Sequence, residues 1–522
     1  MLSQSDLTNC DKEQIHLVAA IQPHGYFLAF RLADKTIYHA SANIFDLTKV
    51  PTSDVTGKSL AAVFGEETSK VIVRESQAVS FEEPRVLRLR NLCGTPGLFE
   101  VYLYELDGLI AVEIESREVT AADESPEFSQ SHRRSRAFAE DLNSNDSLES
   151  IAKVTCRTIR SLIGFDRVMM YRYFPSWDGE VIAEDKSAEA HSFLQHRFPA
   201  TDVPLPARQL YLKNRSRLIA NSSSTPVPIE PSVHYITRKT IDLSNSKLRA
   251  VSPIHMEYLR NMNVGGSFSV AVIVAGELWG LIACHSKEPM GISHETRLAC
   301  ESVAATFASL AVIKEQVSQQ IQTIQFEERL RSLFAEWIAS PQLVSSLMKS
   351  HAAIEGLFEA SGVALVTADK IEIAGLTPPE SMIKELAAYL KQRFTSERKS
   401  ILAVDNLSGL DARFERLKEI TCGALATFSP NADASIFIVF RPEVLRTITW
   451  GGDPRKTMEK RNYKGIINPR SSFESWNETV SGHSKPWSRY QVKGAEFMRD
   501  FIFNSLIPKE RLLSELGQRP SR

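Results

Sequence analysis

Between Ile292 and Ser340 the chain carries neither glycine nor proline, and apolar residues fall at Val303, Phe307, Leu310, Ile313, Val317, Ile321 and Ile324. Three- and four-residue spacing is the period of one face of an α-helix, and nothing in the stretch breaks one. At about 1.5 Å per residue such a helix reaches roughly 70 Å, too long to be packed inside one domain. The spacing predicts a connector between domains, and the same stripe suits a dimerising helix bundle. At roughly 100–200 residues per domain, 522 residues leave room for about three domains to connect.

The punctuation of the chain predicts where they lie. Residues 1–120 hold strand-like pieces at Tyr26–Phe30 and Phe99–Tyr104, separated by turn signals at Gly94–Gly97 and Asp107-Gly108. Glu118–Ser135 is polar and aperiodic and reads as a linker. A second unit, 136–315, opens on a helical pattern (Leu148, Ile151, Val154, Ile159, Leu162) and passes to strands at Val168–Tyr173 and Glu180–Ala183. It closes on a hairpin, Ser269–Val274 and Leu278–His285 around Gly276. A third unit, 325–510, has strands at Val363–Thr367 and Ile436–Phe440 and a helical end from Lys493 to Leu516. The expected fold class is α+β, three α/β units with antiparallel sheets and a long connecting helix.

Composition removes several functions. The 43% hydrophobic and 24% charged fractions are those of a globular protein, not a disordered one. Sixty-one Lys plus Arg against 63 Asp plus Glu gives no field for gripping nucleic acid or anionic lipid. No uninterrupted run of 18 apolar residues suggests a membrane span. The start, MLSQSDLTNC, lacks a basic segment before an apolar core, so no secretory signal is expected. Cys10, Cys93, Cys156, Cys284, Cys300 and Cys422 contain no CxxC pair, so no metal site is expected and they read as reduced thiols of a cytoplasmic protein. Trp450–Trp487 is a long aperiodic excursion with seven Lys/Arg against four Asp/Glu. Its aromatic residues Trp450, Phe473, Trp476 and Trp487 argue against plain disorder, and so small a basic excess argues against an RNA-binding loop.

Candidate chemistry is densest in the second unit. Arg197-Phe198-Pro199-Ala200-Thr201-Asp202-Val203-Pro204 sets an aspartate between prolines that resist a continuing helix, leaving main-chain carbonyls available as acceptors. Tyr211 to Arg217 and Leu248 to Arg260 follow; Arg217 and Arg249 can each fork onto a carboxylate. In the hairpin, alternation places Trp279, Leu281, Ala283 and His285 on one face. Taken singly, Cys10 is an ordinary N-terminal thiol, His24 in Ile21-Gln22-Pro23-His24-Gly25 a structural turn residue, and His285 a satisfied core histidine. Taken together, two arginines, two histidines, Asp202 and several aromatics line a mostly apolar pocket for a large conjugated diacid.

The order Cys10, IQPHG at 21–25, PATDVP at 199–204, SPIHMEYLRNM at 252–262, LWGLIACH at 278–285 and PRSSF at 469–473 resembles that of the bacterial phytochromes, over essentially the whole chain. The resemblance implies PAS, GAF and PHY domains, an N-terminal figure-of-eight knot and a PHY tongue at 450–487. It also implies biliverdin IXα joined to Cys10 by a thioether. By the same resemblance Asp202 and His255 face the pyrrole nitrogens, His285 the D-ring carbonyl, and Arg217 and Arg249 the propionates. Tyr171, Phe198, Tyr211 and Tyr258 are the pocket aromatics, and Ser252, Ser267 and Ser269 the polar contacts on the propionate side. Arg470, Ser472, Trp450 and Trp476 belong to the tongue, where Arg470 and Ser472 exchange on Asp202 as the tongue refolds between hairpin and helix. Gln14 and Val18-Ala19 depart from the family, which usually has Pro and Pro-Gly there.

The expected function is a red/far-red photoreceptor acting as a homodimer through its long helices. It signals to a fused or separate output module such as a histidine kinase with its response regulator, without nucleic acid or membrane partners. A bilin-free GAF sensor for a cyclic nucleotide or other small molecule is the rival, against which Cys10 and the paired arginines speak. A kinase is the second rival; no two glycines stand one residue apart, as a glycine-rich ATP lid needs, and no enzymatic activity is expected.

Overall fold

A computed structural model of the chain describes residues 13–79, 84–117, 138, 140–142, 147–340, 343–397, 399–429, 435–454, 472–509 and 512. Cys10, Arg470 and the expected linker at 118–135 therefore lie outside the described residues. Two compact units emerge, Met1–Lys314 with Thr449–Trp476, and Glu315–Ile448 with Asn477–Arg522.

In the first unit, strands β1 (Ala20–Ile21), β2 (Gly25–Phe30) and β3 (Ile37–Ser41) precede four short helices, α1 (Ile44–Thr48), α2 (Thr52–Val55), α3 (Leu60–Phe64) and α4 (Glu66–Ser76). Strands β4 (Arg85–Leu92), β5 (Thr95–Leu106) and β6 (Leu109–Arg117) follow. Asp107 and Gly108 both take positive φ, 48° and 82°, which lets two residues close the β5–β6 hairpin with Leu106 opposite Leu109. Strand alternation sends Leu28 and Phe30 to the helix-covered face and Phe27 and Ala29 to the other. That second face is covered by Ile229, Ile241, Leu243 and Leu248 from far down the chain. One of those later segments, β11 (Val227–Glu230), enters the sheet between β1 and β3, giving the antiparallel order β1-β11-β3-β2-β6-β5-β4. The knot depends on the path of the N-terminal segment, whose residues 1–12 are outside the described residues.

The second sheet of this unit begins with helix α5 (Leu148–Ile163). It is opened by a Ser147/Ser150 capping box and closed by Gly164 at φ 71°. Strands β7 (Arg167–Tyr173), β8 (Gly179–Lys186) and β9 (Arg197–Phe198) follow, then a 3₁₀ turn at Ala200–Asp202, α6 (Leu205–Lys213) and β10 (Ser216–Ile219). Beyond β11 come α7 (Pro253–Asn261), β12 (Gly266–Val274), β13 (Glu277–Ser286) and α8 (His294–Ala339). The order is β10-β12-β13-β7-β8-β9, continued by β19 (Arg446–Gly451) and β20 (Ser475–Val480), with β19 parallel to β9. One face packs on α5 and on Val303, Ala304, Phe307, Ala308 and Ala311 of α8. The other face, with Met169, Tyr171, Val181, Phe198 and Leu281, carries the candidate site.

The expected alternation of β13 is corrected at one residue. Val272 pairs with Gly280 and Ile273 with Leu278, so Trp279 is the extra residue of a β-bulge. It turns away from Leu281 and Ala283 and packs edge-on against Phe307 of α8, ring centroids 5.7 Å apart.

Helix α8 is 46 residues long. By length and composition alone it passes for a membrane span, with an 18-residue window of mean hydropathy 1.3, although no unbroken apolar run announces it. The fold supplies other partners for its apolar residues: Val303 to Ala311 on the sheet of the first unit, Phe326, Leu330 and Trp337 in the core of the second.

In the second unit, α9 (Leu343–Lys349) and α10 (His351–Phe358) lead to β14 (Gly362–Val366), β15 (Ile371–Gly375), α11 (Glu380–Glu397), β16 (Ile401–Val404), β17 (Gly423–Phe428) and β18 (Ile436–Arg441). The antiparallel order is β15-β14-β18-β17-β16. Val363, Leu365, Phe437 and Val439 face one core, and Ala364, Val366, Ile436 and Ile438 the other. Helix α12 (Arg489–Phe501) starts earlier than the expected Lys493, because Ser488 and Gln491 form a capping box. The tongue segment, expected to lack periodicity, contributes regular strand at both described ends, in β19 and β20.

Candidate functional site

Each side chain is placed by a local constraint. Pro199 and Pro204 bracket the 3₁₀ turn that ends in Asp202. Pro253 occupies the first position of α7, where a missing N–H costs nothing. His255 and Tyr258, three residues apart, share a face of that helix, and their rings stack 5.7 Å apart at 12°. Tyr258 Oη donates to the Asp202 carboxylate at 2.9 Å, and Phe473 meets the Tyr258 ring edge-on at 4.9 Å. Tyr171 Oη donates to the Phe198 carbonyl at 3.3 Å. Two glycines permit these approaches: a Cβ at Gly179 would lie 1.9 Å from the Tyr171 ring, and one at Gly451 2.6 Å from Phe198. Trp450, 8% exposed, pairs with Arg197 beside Phe198. Ser475 meets His196 Nε2 at 2.7 Å, Ser472 is exposed, and Trp476 is half-buried.

The basic side is built around Arg217 of β10 and Arg249. Arg217 donates to the carbonyls of Lys247, Arg249 and Ala250. That segment is itself held where the Lys247 and Leu248 amides donate to the buried Glu113 carboxylate of β6, at 2.8 and 3.2 Å. Arg249 Nη1 donates to the Ile15 carbonyl at 2.6 Å, and Ser252 Oγ to Glu13 at 3.3 Å. Among the described residues neither guanidinium makes an ion pair, and the buried Arg249 Nε has no acceptor. Burial draws Arg249 down to about 10; it draws Arg217 well below the ordinary arginine value, with the Arg249 charge adding to it. Tyr211 Oη and Ser269 Oγ are 2.7 Å apart, and Ser267 lies buried opposite His285 in the β12–β13 ladder.

Both histidines are held neutral at pH 7. Burial, then the charge of Arg217, lowers His255 to about 4, and burial, Arg167 and His255 push His285 well below its usual value. His255, His285, Tyr211 and Arg217 nonetheless keep part of their surface accessible, and α6 buries none of its residues. Tyr211 of α6 and Tyr258 of α7 pack against this face of the second sheet. His24 lies instead beside Glu115, 3.6 Å away, as a structural residue.

Arg167, Phe193 and Tyr173 join the site without having stood out in the sequence. Arg167 Nη2 lies 3.1 Å from His285 Nδ1, its guanidinium sits 4.4 Å from the centre of the Phe193 ring, and Tyr173 packs edge-on to Tyr171 at 5.1 Å. The signal was available in β7, where alternation puts Arg167, Met169 and Tyr171 on one face.

Known proteins share this architecture. Family models match at residues 10–117 (PAS fold), 147–313 (GAF domain) and 327–511 (phytochrome region). Cyanobacterial phytochrome B of Nostoc sp. is 31% identical over 98% of this chain and 68% of its own length. A bacteriophytochrome of Xanthomonas campestris pv. campestris is 29% identical over 95% of this chain and 78% of its own. Among solved structures, the bacteriophytochrome RpBphP3 of R. palustris superposes with a TM-score of 0.83 at 30% identity, covering 96% of this chain and 99% of that one. The photosensory core module of the Stigmatella aurantiaca phytochrome gives 0.80 at 29%, with the same coverage. The chain belongs to the phytochrome family, as a PAS-GAF-PHY photosensory core and a bilin-binding red/far-red photoreceptor.

Proposed function

We propose that the bilin is biliverdin IXα, held by a thioether to Cys10 in the cleft between the second sheet and α6 and α7. The observation that carries this reading is the pair of desolvated guanidiniums, Arg217 and Arg249, with no carboxylate partner among the described residues. Two propionates supply what they lack, since a buried guanidinium is stable only when paired. Biliverdin, when bound, supplies the red absorption and the double bond beside its D ring whose isomerisation starts the photocycle.

The attachment to Cys10 is supported from two sides. Glu13 and Ile15, which follow Cys10 closely in the chain, are anchored on Ser252 and Arg249. The described thiols make poor nucleophiles, because burial raises Cys93 to about 11 and Cys300 to about 12, and pushes Cys156, Cys284 and Cys422 upward too.

Within this reading Asp202 offers its main-chain carbonyl and His255 its neutral ring to the pyrrole nitrogens, and His285 bonds the D-ring carbonyl. Tyr171, Phe198, Tyr211 and Tyr258 pack the ring system, with Ser252, Ser267 and Ser269 on the propionate side. Tyr258 ties Asp202 to Phe473, so what happens at Asp202 is felt in the tongue, where Arg470 holds Asp202 in one state and Ser472 in the other. The domains run 1–120, 136–315 and 325–510, with the tongue at 450–487. The chain works as a cytoplasmic homodimer through α8, passing its signal to an output module such as a histidine kinase and its response regulator.

The test is assembly with biliverdin followed by a denaturing gel stained with zinc. The wild-type band fluoresces and that of Cys10→Ser does not; an unchanged band in the variant removes Cys10 from the assignment.

A further inference from the structure

The assignment of His285 to the pocket leaves open which of its ring nitrogens carries the proton, and Arg167 answers that. In the β13–β7 ladder His285 pairs with Arg167, so both side chains rise on the same face. Arg167 is 6% exposed. Its Nη1 donates to the His191 carbonyl at 2.7 Å and its Nη2 sits 3.1 Å from His285 Nδ1. A guanidinium has donors and no acceptor. His285 Nδ1 therefore receives the hydrogen bond on a lone pair, and in the neutral ring the proton is on Nε2.

The surroundings fix the orientation of Arg167. Phe193 lies across its guanidinium. Burial draws Arg167 below the ordinary arginine value, and Glu184 and Asp166 oppose this from a distance without ion pairing. Glu184 is committed to Ser192 Oγ at 2.6 Å and the Phe193 amide at 3.1 Å, and Asp166 to the Lys287 amide at 2.8 Å. From α7, His255 and Tyr258 face the same corner, and His255 adds to the opposition to a proton on His285. His285 Nε2 makes no hydrogen bond among the described residues.

We infer that Arg167 is a positioning residue that locks His285 in the Nε2–H tautomer, so that the ring offers the pocket a hydrogen-bond donor and no acceptor. A donor on Nε2 is what the proposed bond from His285 to the D-ring carbonyl requires. The inference rests on His285 lying against the bilin, and its test separates the two.

The experiment uses the full chain assembled with biliverdin and labelled with ¹⁵N-histidine. Ring-nitrogen NMR of the wild type, assigned by the loss of signals in His285→Gln, is expected to show His285 with a bare Nδ1 and a protonated Nε2 from pH 6 to 9. In Arg167→Met the tautomers mix and the midpoint for protonating His285 rises toward that of an ordinary imidazole, making the red absorption band pH-dependent. Arg167→Lys, which keeps a donor-only cation, restores the single tautomer. A wild-type ring protonated on Nδ1 or on both nitrogens overturns the inference whether or not the variants fold, and so does an Arg167→Met protein with an unchanged tautomer and pH profile. If His285→Gln leaves the spectrum and both photostates as in the wild type, the placement of His285 against the bilin fails instead, and with it the bond to the D-ring carbonyl.

Discussion

Arg249 shows how a residue can be recognised while its surroundings cannot. The motif around it pointed to a carboxylate ligand, but not to the desolvation of its neighbour Arg217, nor to the Ile15 carbonyl that anchors it. A charge-assisted hydrogen bond is worth about 1.5–3 kcal/mol, so Arg249→Gln is expected to weaken biliverdin binding about 10- to 100-fold, read by absorption titration. Arg217→Gln is expected to do more damage, because Arg217 also fixes the carbonyls of Lys247, Arg249 and Ala250. Equal losses in both would remove that second role. The turn at Asp202 was legible because the prolines that flank it act locally. Arg167 was missed because its partner is set by strand register, and Trp279 was misplaced because a bulge shifts the register by one residue.

At the scale of elements, α8 was readable almost to its ends, since an absence of helix breakers is a local property of the sequence. What holds its start was not readable. The His294 amide donates to the Glu100 carboxylate of β5 at 2.7 Å, and Arg297 forks onto Glu115 of β6. His294 is 7% exposed, and burial, Arg297 and Lys247 lower it from 6.5 to about 4. The unfolded chain then binds a proton that the folded one refuses, so stability is full above about pH 6.5 and falls as the pH drops toward 4. Between pH 7 and 5 this one imidazole costs about 2 kcal/mol. Thermal melts of His294→Gln are expected to lose less between those pH values than the wild type; parallel losses would contradict a neutral His294. In the tongue, strand at both described ends was unforeseen, because β19 takes its pairing from β9 rather than from its own periodicity. Arg470→Ala is expected to bind biliverdin normally but to form or hold one photostate poorly. Wild-type photoconversion and dark reversion in that variant would take Arg470 out of the mechanism.

Over the whole molecule, length and punctuation predict three units along the chain where two compact ones emerge, and the entry of β11 into the first sheet was not readable, since no local pattern announces a pairing across so many residues. The long helix leaves Ile313, Val317, Ile321 and Ile324 at 52%, 48%, 50% and 49% exposure on one side, the spacing of a helix–helix seam. Replacing Val317 and Ile321 together by glutamate is expected to turn a dimer into a monomer in light scattering without altering the absorption spectrum; a dimer that survives places the interface elsewhere. The most direct measurement is the absorption spectrum of the chain assembled with biliverdin, recorded before and after red light. The expected result is a red band that falls as a far-red band rises and that far-red light restores. A spectrum identical to that of free biliverdin and indifferent to light would contradict the assignment of this cleft to a photoactive bilin.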